Sequence, residues 1–374
     1  MSTLEPVILN EVKLTQKAVA DLASSSSGAA IGAVGQIVRL PTDATMPSDG
    51  SAVYLRSGIL TSDEEYPDYP YWLPRYGGIT WTQQALPVSG SWQFVTYGNG
   101  VFVAVASGGA IAATSPDGIT WTQRALPVSA NWYSVTHGNG VFVAVAYGGT
   151  TAATSPDGIT WTQRALPVSA SWWPVTYGNG VFVAIAYSSA IAATSPDGIT
   201  WTKRALPVST LWRSVAYGNG VFVAVSSSST IAATSPDGIT WTQRTLPVST
   251  LWRSVAYGNG VFVAIAYSSA IAATSPDGIT WTQQALPVSD AWYSVVYGNG
   301  VFVAVASGGA IAATSPDGIT WTHRTLPVSG SWYSVVYGNG VLVAVSYDSA
   351  NAATSPANLI GMDAYTKNEY VRVK

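Results

Sequence analysis

A 40-residue repeat, present in seven copies, constrains this chain more than any other feature. A tryptophan in the segment Ile-Thr-Trp recurs with that period at Trp81, Trp121, Trp161, Trp201, Trp241, Trp281 and Trp321. A second tryptophan series has the same period, at Trp92, Trp132, Trp172, Trp212, Trp252, Trp292 and Trp332. A Gly-Asn-Gly segment also recurs in every copy. A fixed period of this length indicates one supersecondary unit repeated in a solenoid, a propeller or an array.

Each repeat has the pattern of four short antiparallel strands, named a to d. In the first full repeat the predicted strands are residues 92–97, 101–106, 110–115 and 119–125. Asn-Gly between strands a and b supplies the positive φ of a tight hairpin, and Pro-Asp-Gly predicts a turn between c and d. The continuous apolar run of strand b is typical of a strand buried on both faces. Residues 126–129 then lead into the next repeat.

Four antiparallel strands at a period near 40 residues favour an all-β fold, a β-propeller with seven blades. A solenoid is the alternative, but it would need distinct polar caps at its two ends. The first repeat begins at its strand d, residues 79–84, and the last stops after its strand c, residues 350–355. We therefore expect the N-terminal strand to complete the last blade and close the ring, leaving no open edge.

Charge and composition exclude several classes of protein. Sixteen basic and nineteen acidic residues give a net charge of −3, which is no electrostatic footprint for a nucleic-acid partner. No run of 18 apolar residues predicts membrane insertion. The chain has no cysteine, which excludes disulfides and thiolate metal ligands. We expect no cofactor.

The segment Ser-Pro-Asp-Gly-Ile-Thr-Trp, as in residues 115–121, resembles the Asp-box of sialidase-like propellers, although it is one residue shorter. The longer string YGNGVFVAVA…IAATSPDGITWT is similar to propeller repeats of bacterial and phage surface proteins. The resemblance covers all seven repeats and implies a fold rather than an activity. It implies a structural role in a hairpin for Asp117, Asp157, Asp197, Asp237, Asp277 and Asp317.

The repeats differ mainly at one end of the predicted strands. Successive hairpin turns lie at opposite strand ends, so the Gly-Asn-Gly and Ser-Pro-Asp-Gly turns share one end, here the turn end. The b–c turns and the d-to-a connections share the other, here the loop end, and they hold most of the variation. The candidate ligand-binding residues there are Gln93, Tyr133, Trp173, Arg213, Arg253, Tyr293, Tyr333, Tyr147, Tyr187, Tyr267, Tyr347 and Asp290.

Two explanations of this variation stay open. Turns tolerate substitution better than cores, so drift of the surface predicts it too. Exposed Tyr, Trp and Arg are, however, the residues enriched at binding hot spots, which favours a recognition surface. The two invariant tryptophan series are expected to pack between strands and blades. The Trp92 series could instead present ring edges to a ligand.

Residues 1–77 and 358–374 lie outside the repeats. Residues 1–35 are predicted to form an attachment segment, a short helix followed by the linker DLASSSSGAAIGAVG, and residues 36–77 a small β connector. Residues 78–357 are the propeller and residues 358–374 a tail. The linker resembles a segment near the head-binding part of phage tailspikes, and LPTDATMPSDG and NEYVRVK resemble connector modules and ends of phage tail fibres. This resemblance implies a homotrimer that docks on other virion tail proteins through residues 1–77.

The sequence does not predict an enzyme. No glutamate occurs between residues 66 and 368, and Asp290 and Asp348 are the only aspartates of the repeats outside the turns. A glycosidase normally needs two carboxyl groups flanking the scissile bond. His137 and His323 are far apart, so no catalytic residue and no metal ligand is assigned.

Three functions remain as hypotheses. The first is a phage tail fibre, extracellular on the virion, whose loop end binds a bacterial surface glycan or an outer-membrane receptor. The second is a bacterial lectin-like or scaffold propeller that is not part of a virion. The third is a sialidase-like hydrolase, which the missing carboxylates disfavour.

Overall fold

The computed structural model describes residues 78–347 and 349–356. The predicted segments 1–35, 36–77 and 358–374 lie outside the described residues. The strands are β1 (Thr82–Gly98), β2 (Val101–Ser107), β3 (Gly109–Ser115), β4 (Thr122–Gly138), β5 (Val141–Tyr147), β6 (Thr151–Ser155), β7 (Thr162–Ala165), β8 (Trp172–Gly178), β9 (Val181–Ala186), β10 (Ser189–Ser195), β11 (Thr202–Thr210), β12 (Trp212–Gly218), β13 (Val221–Ser226), β14 (Ser229–Ser235), β15 (Thr242–Thr250), β16 (Trp252–Gly258), β17 (Val261–Ala266), β18 (Ser269–Ser275), β19 (Thr282–Asp290), β20 (Trp292–Gly298), β21 (Val301–Ser315), β22 (Thr322–Gly338), β23 (Val341–Tyr347) and β24 (Ser349–Pro356). This part of the chain holds no helix long and apolar enough to cross a membrane.

The repeats fold into four-stranded antiparallel units. Three units are separate sheets, such as β12-β13-β14-β15, and twelve further strands form one sheet from β20 to β7 through the pairing of β24 with β1. That sheet is long because β1, β4 and β22, of 17 residues each, run from one unit into the next. The backbone hydrogen bonds therefore do not join the strands into a single closed ring.

Two details of the predicted strands are wrong. Strand d begins at Thr122 rather than at Ile119, because the backbone N–H groups of Ile119 and Thr120 both donate to Asp117 Oδ1 and stay in the turn. The d-to-a connection is extended rather than a loop in most units. The backbone of this connection pairs with the start of strand c. Ala130 of the connection, for example, pairs with Gly109 of strand c, across a register shift from the pairs that follow.

The two ends of the repeat region complete one unit, as the sequence predicts. Residues 82–85 of β1 pair with residues 351–354 of β24. The backbone N–H of Gly78 donates to Ser355 Oγ at 2.8 Å, the same contact that Gly118 makes with Ser115 within a single turn. Trp81 Nε1 donates to the Gly78 carbonyl, as Trp121 Nε1 does to that of Gly118. A turn cut between the two ends of the chain is thereby rebuilt.

The core of each unit is strand b together with the two tryptophans. Residues 102–106 of β2 are completely buried, which confirms the prediction of a strand covered on both faces. The Trp92 series is fully buried, so a ligand-facing edge for it is wrong. In the Ile-Thr-Trp series five members are 8% exposed, and Trp81 and Trp321 are partly buried and pack against the core. Each indole N–H donates to a carbonyl of its own neighbourhood, such as Trp92 Nε1 to Val88 at 3.2 Å, so burial leaves no orphan donor.

The turn end joins each unit to the next. A Cβ on Gly158 would lie 2.6 Å from Val103 Cγ2 of the preceding unit, so this turn packs directly against its neighbour. Asn99 has φ near +47° and its Nδ2 donates to the carbonyl of Pro156, in the next unit's turn, at 2.8 Å. These positions are uniform because each combines a backbone conformation with a contact between units.

The a strands of successive units also contact one another in order. Gly98 accommodates the ring of His137, Gly138 that of Tyr177, and the series continues until Gly338 accommodates Tyr97 of the first unit. Ser334 Oγ likewise accepts the backbone N–H of Val95 at 3.1 Å. The last repeat therefore contacts the first through their a strands.

Candidate ligand-binding site

Every candidate residue that follows a tryptophan of the second series lies in a β-bulge. In β1 the register places Trp92 opposite Ala106 and Phe94 opposite Val105, so Gln93 is left out of the ladder. The same shift follows Trp132, Trp212, Trp252, Trp292 and Trp332, and in β8 it spans Trp172 to Val175. A bulge re-aims a side chain out of the strand's alternation. One of the variable residues of each repeat is thus left out of the ladder of backbone pairs.

The bulged residues of neighbouring units meet b–c turn tyrosines. The rings of Tyr133 and Trp173 are 4.3 Å apart between centroids, and Tyr147 lies 5.0 Å from Tyr133 and 5.9 Å from Trp173. Tyr187 lies 5.7 Å from Trp173. Side chains from different strands and different units therefore form one aromatic group.

Tyrosines of the last three repeats form a second aromatic group. Tyr293 and Tyr333 are stacked at 3.8 Å, and Tyr333 is stacked on Tyr347 at 4.5 Å. Tyr267 meets Tyr293 edge to face at 6.3 Å. Three rings in this group are parallel or nearly so.

Two arginines connect the aromatic groups. The guanidinium carbon of Arg213 lies 4.2 Å from the Trp173 ring centroid and 4.7 Å from that of Tyr187. That of Arg253 lies 5.3 Å from Trp173 and 3.4 Å from Tyr293. The resulting set is here called the loop-end cluster: Tyr133, Tyr147, Trp173, Tyr187, Arg213, Arg253, Tyr267, Tyr293, Tyr333 and Tyr347.

The electrostatics of the cluster are unusual for arginines. Arg253 is only 7% exposed, and burial, followed by the like charge of Arg213, lowers its pKa well below the ordinary value. Burial also lowers the pKa of Arg213, whose Nε and Nη1 are buried without a hydrogen-bond partner. Burial raises the pKa of Tyr133. After burial, the largest electrostatic influences on Arg213 come from tyrosines, and those on Arg253 come from Arg213 and tyrosines.

The expectation of a fully exposed ring of side chains is wrong. Gln93 is 6% exposed, and the Tyr and Trp members of the cluster are half-buried because they pack on one another. Asp290 makes none of these ring contacts: its Oδ1 accepts the backbone N–H of Ala291 at 2.6 Å, at the end of β19. Asp348 lies outside the described residues. Comparing the repeats in sequence identified the members of the cluster individually. It did not predict that their side chains contact one another, because no residue pattern indicates the bulge.

The side chains of the loop-end cluster are aromatic rings and guanidinium groups. Within residues 78–347 and 349–356, no group of three His, Asp or Glu side chains is placed to hold a metal ion. His137 lies near the turn end of its strand, where it packs against Phe142 at 4.7 Å, and burial lowers its pKa. The cluster offers flat rings, phenol hydroxyls and guanidinium groups, which are suited to binding.

Comparison with known proteins identifies the fold but not a family. No protein-family model matches the chain, and no curated protein matches it in sequence. Among solved structures, a streptogramin B lyase superposes with a TM-score of 0.68 at 10% identity, covering 75% of this chain and 98% of that chain. YCF48 bound to D1 peptide gives 0.62 at 17% identity, with 78% and 100% covered. The Cps50 (Swd1) β-propeller domain of Myceliophteria thermophila gives 0.56 at 9%, with 73% and 99% covered.

These likenesses rest on architecture alone, because all identities are below a fifth. Each neighbour is matched over nearly its whole length, and the four-stranded units of this chain are those of a β-propeller. The predicted β-propeller fold is confirmed. A fold of this kind hosts many unrelated functions, so function must be argued from the site.

Proposed function

We propose that the seven repeats form a seven-bladed β-propeller, closed through the N-terminal strand. Two observations support this arrangement: residues 82–85 pair with β24, and Gly338 of the last repeat accommodates Tyr97 of the first. Closure of this kind covers both sheet edges that the ends of the array would otherwise expose. It also surrounds a central axis with seven a strands, whose bulged residues then point towards one another.

The protein's function, in this proposal, is binding rather than catalysis, and the loop-end cluster is the binding site. The observation that carries it is the bulge: the residue that each bulge aims out of the ladder is one of four types, Gln, Tyr, Trp or Arg, in otherwise similar repeats. Those residues are mostly Tyr, Trp and Arg, the types that dominate binding energy at interfaces. Random drift has no reason to collect these types in one contacting cluster.

The narrower proposal for the partner is a bacterial surface glycan or outer-membrane receptor. Phenol hydroxyl groups suit hydrogen bonding to sugar hydroxyls, and Tyr293, Tyr333 and Tyr347, whose rings stack on one another, bring three such groups together. The resemblance of the chain ends to phage tail fibres extends this to a homotrimeric receptor-binding protein of a virion. That extension rests on residues outside the described part of the chain.

A propeller that is not part of a virion is the second candidate. It is favoured by the structural neighbours, which include YCF48 bound to a peptide and the Swd1 propeller domain. In this candidate the same cluster binds a partner protein or a glycan in another setting. The two candidates share the binding site and differ in whether the protein is part of a virion.

Binding of the full chain to a panel of intact bacteria tests both candidates. The test variant is W173A/R213A/R253A, which removes the centre of the cluster. We expect binding to a narrow set of strains that falls at least tenfold in the variant, since a hot-spot aromatic is worth about 2 kcal/mol or more. Binding to purified peptide libraries instead, with the same dependence on Trp173, favours the non-virion candidate.

The matched control is I119A/I159A/I199A, at the turn end. These isoleucines are 53%, 45% and 47% exposed, so their replacement changes exposed apolar surface away from the cluster. The control should bind as well as the unmodified protein. Equal loss in both variants, or binding unaffected by W173A/R213A/R253A in a folded protein, contradicts the proposed site.

A further inference from the structure

The strongest unexplained feature of the described residues is a buried arginine, Arg253, beside a half-buried one, Arg213, with no negative partner for either among those residues. Arg253 is 7% exposed, and Arg213 Nε and Nη1 are buried without an acceptor. Neither arginine forms an ion pair within the described residues, and the chain has no glutamate between residues 66 and 368. Removing an ion from water costs several kcal/mol, and arginine cannot escape the cost by losing its proton.

The aromatic neighbours offset only part of this cost. A cation over an aromatic ring is attracted by the electron-rich face of the ring, and each guanidinium has two such rings. Rings, however, leave the N–H groups in the guanidinium plane unsatisfied, as Arg213 Nε and Nη1 show. Those groups are donors that an acceptor with negative charge satisfies best.

The chain itself shows that the fold does not need arginine at these positions. The equivalent bulge position holds Gln93, Tyr133, Trp173, Tyr293 and Tyr333 in the other repeats. All adopt the same kind of unit, with the same buried tryptophan beside the bulge. Two neighbouring units therefore carry a costly charge where five others carry a neutral side chain.

We infer that Arg213 and Arg253 form an anion-binding subsite of the loop-end cluster, which takes an acidic group, a carboxylate or a phosphate, carried by a sugar. The inference rests on the proposed function for its location and names the ligand class for it. Arg213 is half-exposed and is the arginine that the ligand reaches first, with the charge of Arg253 behind it. The planar fork of a guanidinium fits both acidic groups.

The aromatic members give the reason to place the acid on a sugar. Trp173 contacts both guanidinium groups, and Tyr293 carries Arg253 on its face while stacking with Tyr333. An acidic sugar bound at the arginines has aromatic side chains on both sides, whose edges and hydroxyl groups its neutral neighbours can contact. A free inorganic anion uses the arginines alone.

The test compares two double variants of the full chain, each losing two positive charges. R213Q/R253Q introduces the residue that this chain uses at position 93. R204Q/R244Q introduces the residue that it uses at position 284, where Gln284 Nε2 keeps the hydrogen bond to a strand-c threonine that Arg204 and Arg244 make. Each replacement is therefore one that the fold already accommodates.

The ligand probes are oligogalacturonate, mannose 6-phosphate, the neutral oligosaccharide of galactose, and sodium sulfate, with affinity measured by calorimetry. We expect one of the two acidic sugars to bind, at least tenfold more tightly than neutral galactose oligomers, and more weakly at high salt. R213Q/R253Q should lose at least tenfold in affinity and R204Q/R244Q less than twofold. Which acidic sugar binds distinguishes carboxylate from phosphate.

A second measurement does not depend on guessing the sugar. Thermal unfolding in sodium sulfate and in sodium chloride of equal ionic strength compares the stabilisation by a divalent oxyanion in all three proteins. A bound anion stabilises the folded state by mass action, so the unmodified protein and R204Q/R244Q should gain more from sulfate than R213Q/R253Q. General exclusion of sulfate from protein surfaces affects all three alike.

The results that overturn the inference are specific. Equal sulfate stabilisation in all three proteins does so, as does equal affinity for acidic and neutral sugars. Arginine-dependent binding of sulfate alone, with neither sugar acid bound, refutes the sugar. If bacteria are bound without dependence on the two arginines, the proposed function stands and the anion subsite fails. If sulfate acts through them but no cell or partner is bound, the reverse holds.

Discussion

The two ends of this molecule are built from the same repeats and behave in opposite ways. At the turn end the Gly-Asn-Gly and Ser-Pro-Asp-Gly segments barely change, and each contacts the neighbouring unit, as Asn99 does with Pro156. At the loop end the bulged residue varies among Gln, Tyr, Trp and Arg. The comparison shows that these repeats vary most where the side chain is not required to hold the backbone conformation.

The physical reason lies in what each position must supply. At the turn end, Asp157 accepts backbone N–H groups and Gly158 adopts φ of +74° against Val103 of another unit. At the loop end, the bulge takes its residue out of the ladder, and side chains such as Trp173 and Arg253 contact rings of other units. One end is therefore constrained by the fold, and the other is available for recognition.

The largest expected effect distinguishes a glycine of each end in the same unit. Gly158→Ala should destabilise the protein by about 3 kcal/mol, because it adds positive-φ strain and a Cβ 2.6 Å from Val103 Cγ2. Gly148→Ala, with φ of +82° and open space, should cost only about 1 kcal/mol. Denaturant unfolding of both variants measures the difference. Equal costs would show that the turn end is not held by packing between units.

The next effect separates stability from binding along a single strand, β8. Tyr177→Ala removes the ring against Gly138 and Phe182, so it should cost about 2 kcal/mol of stability and leave binding unchanged. Trp173→Ala removes the ring between the two arginines, so it should cost binding tenfold or more with a smaller loss of stability. Unfolding and binding are measured on both variants. If Tyr177→Ala weakens binding as much as Trp173→Ala does, the two ends are not independent.

The smallest effect concerns the carboxylate of a turn. The backbone N–H of Thr160, with further hydrogen bonds from Ile159 and Ser155, holds the pKa of Asp157 below its ordinary 3.8. A carboxyl whose pKa is lower in the folded state stabilises the fold above its unfolded pKa, and this contribution is lost as the pH falls through the folded pKa. Asp157→Asn should cost up to about 1 kcal/mol at pH 7, because a neutral acceptor replaces a charged one.

The deficit of Asp157→Asn relative to the unmodified protein should therefore shrink as the pH falls below about 4. Thermal unfolding between pH 7 and pH 2.5 measures it. Asp290→Asn serves as the loop-end control, since within the described part of the chain that carboxylate accepts one backbone N–H, that of Ala291, and its cost should be smaller. A deficit for Asp157→Asn that stays constant down to pH 2.5 would contradict a role for the charge.

Much of the architecture follows from residue pattern. The period, the Asn-Gly hairpins, the buried strand b and the completion of the last unit by residues 82–85 are all evident in the chain, because each depends on local backbone preference or on counting strands. The start of strand d could not be predicted from the sequence in the same way. Ile119 and Thr120 have strand-forming side chains, but Asp117 captures their N–H groups, and a side-chain acceptor outweighs propensity.

The candidate site divides in the same way. Its members were found because near-identical repeats make each substitution visible, so the sequence alone determined which residues vary and that the fold repeats around them. The tertiary structure alone decided that these residues meet. A one-residue bulge after each buried tryptophan is invisible in residue type, yet it turns Arg213 and Arg253 onto rings from other units and leaves their charges buried. Contacts between units and the burial of charge depend on distances across the assembled sheets, which no local pattern encodes.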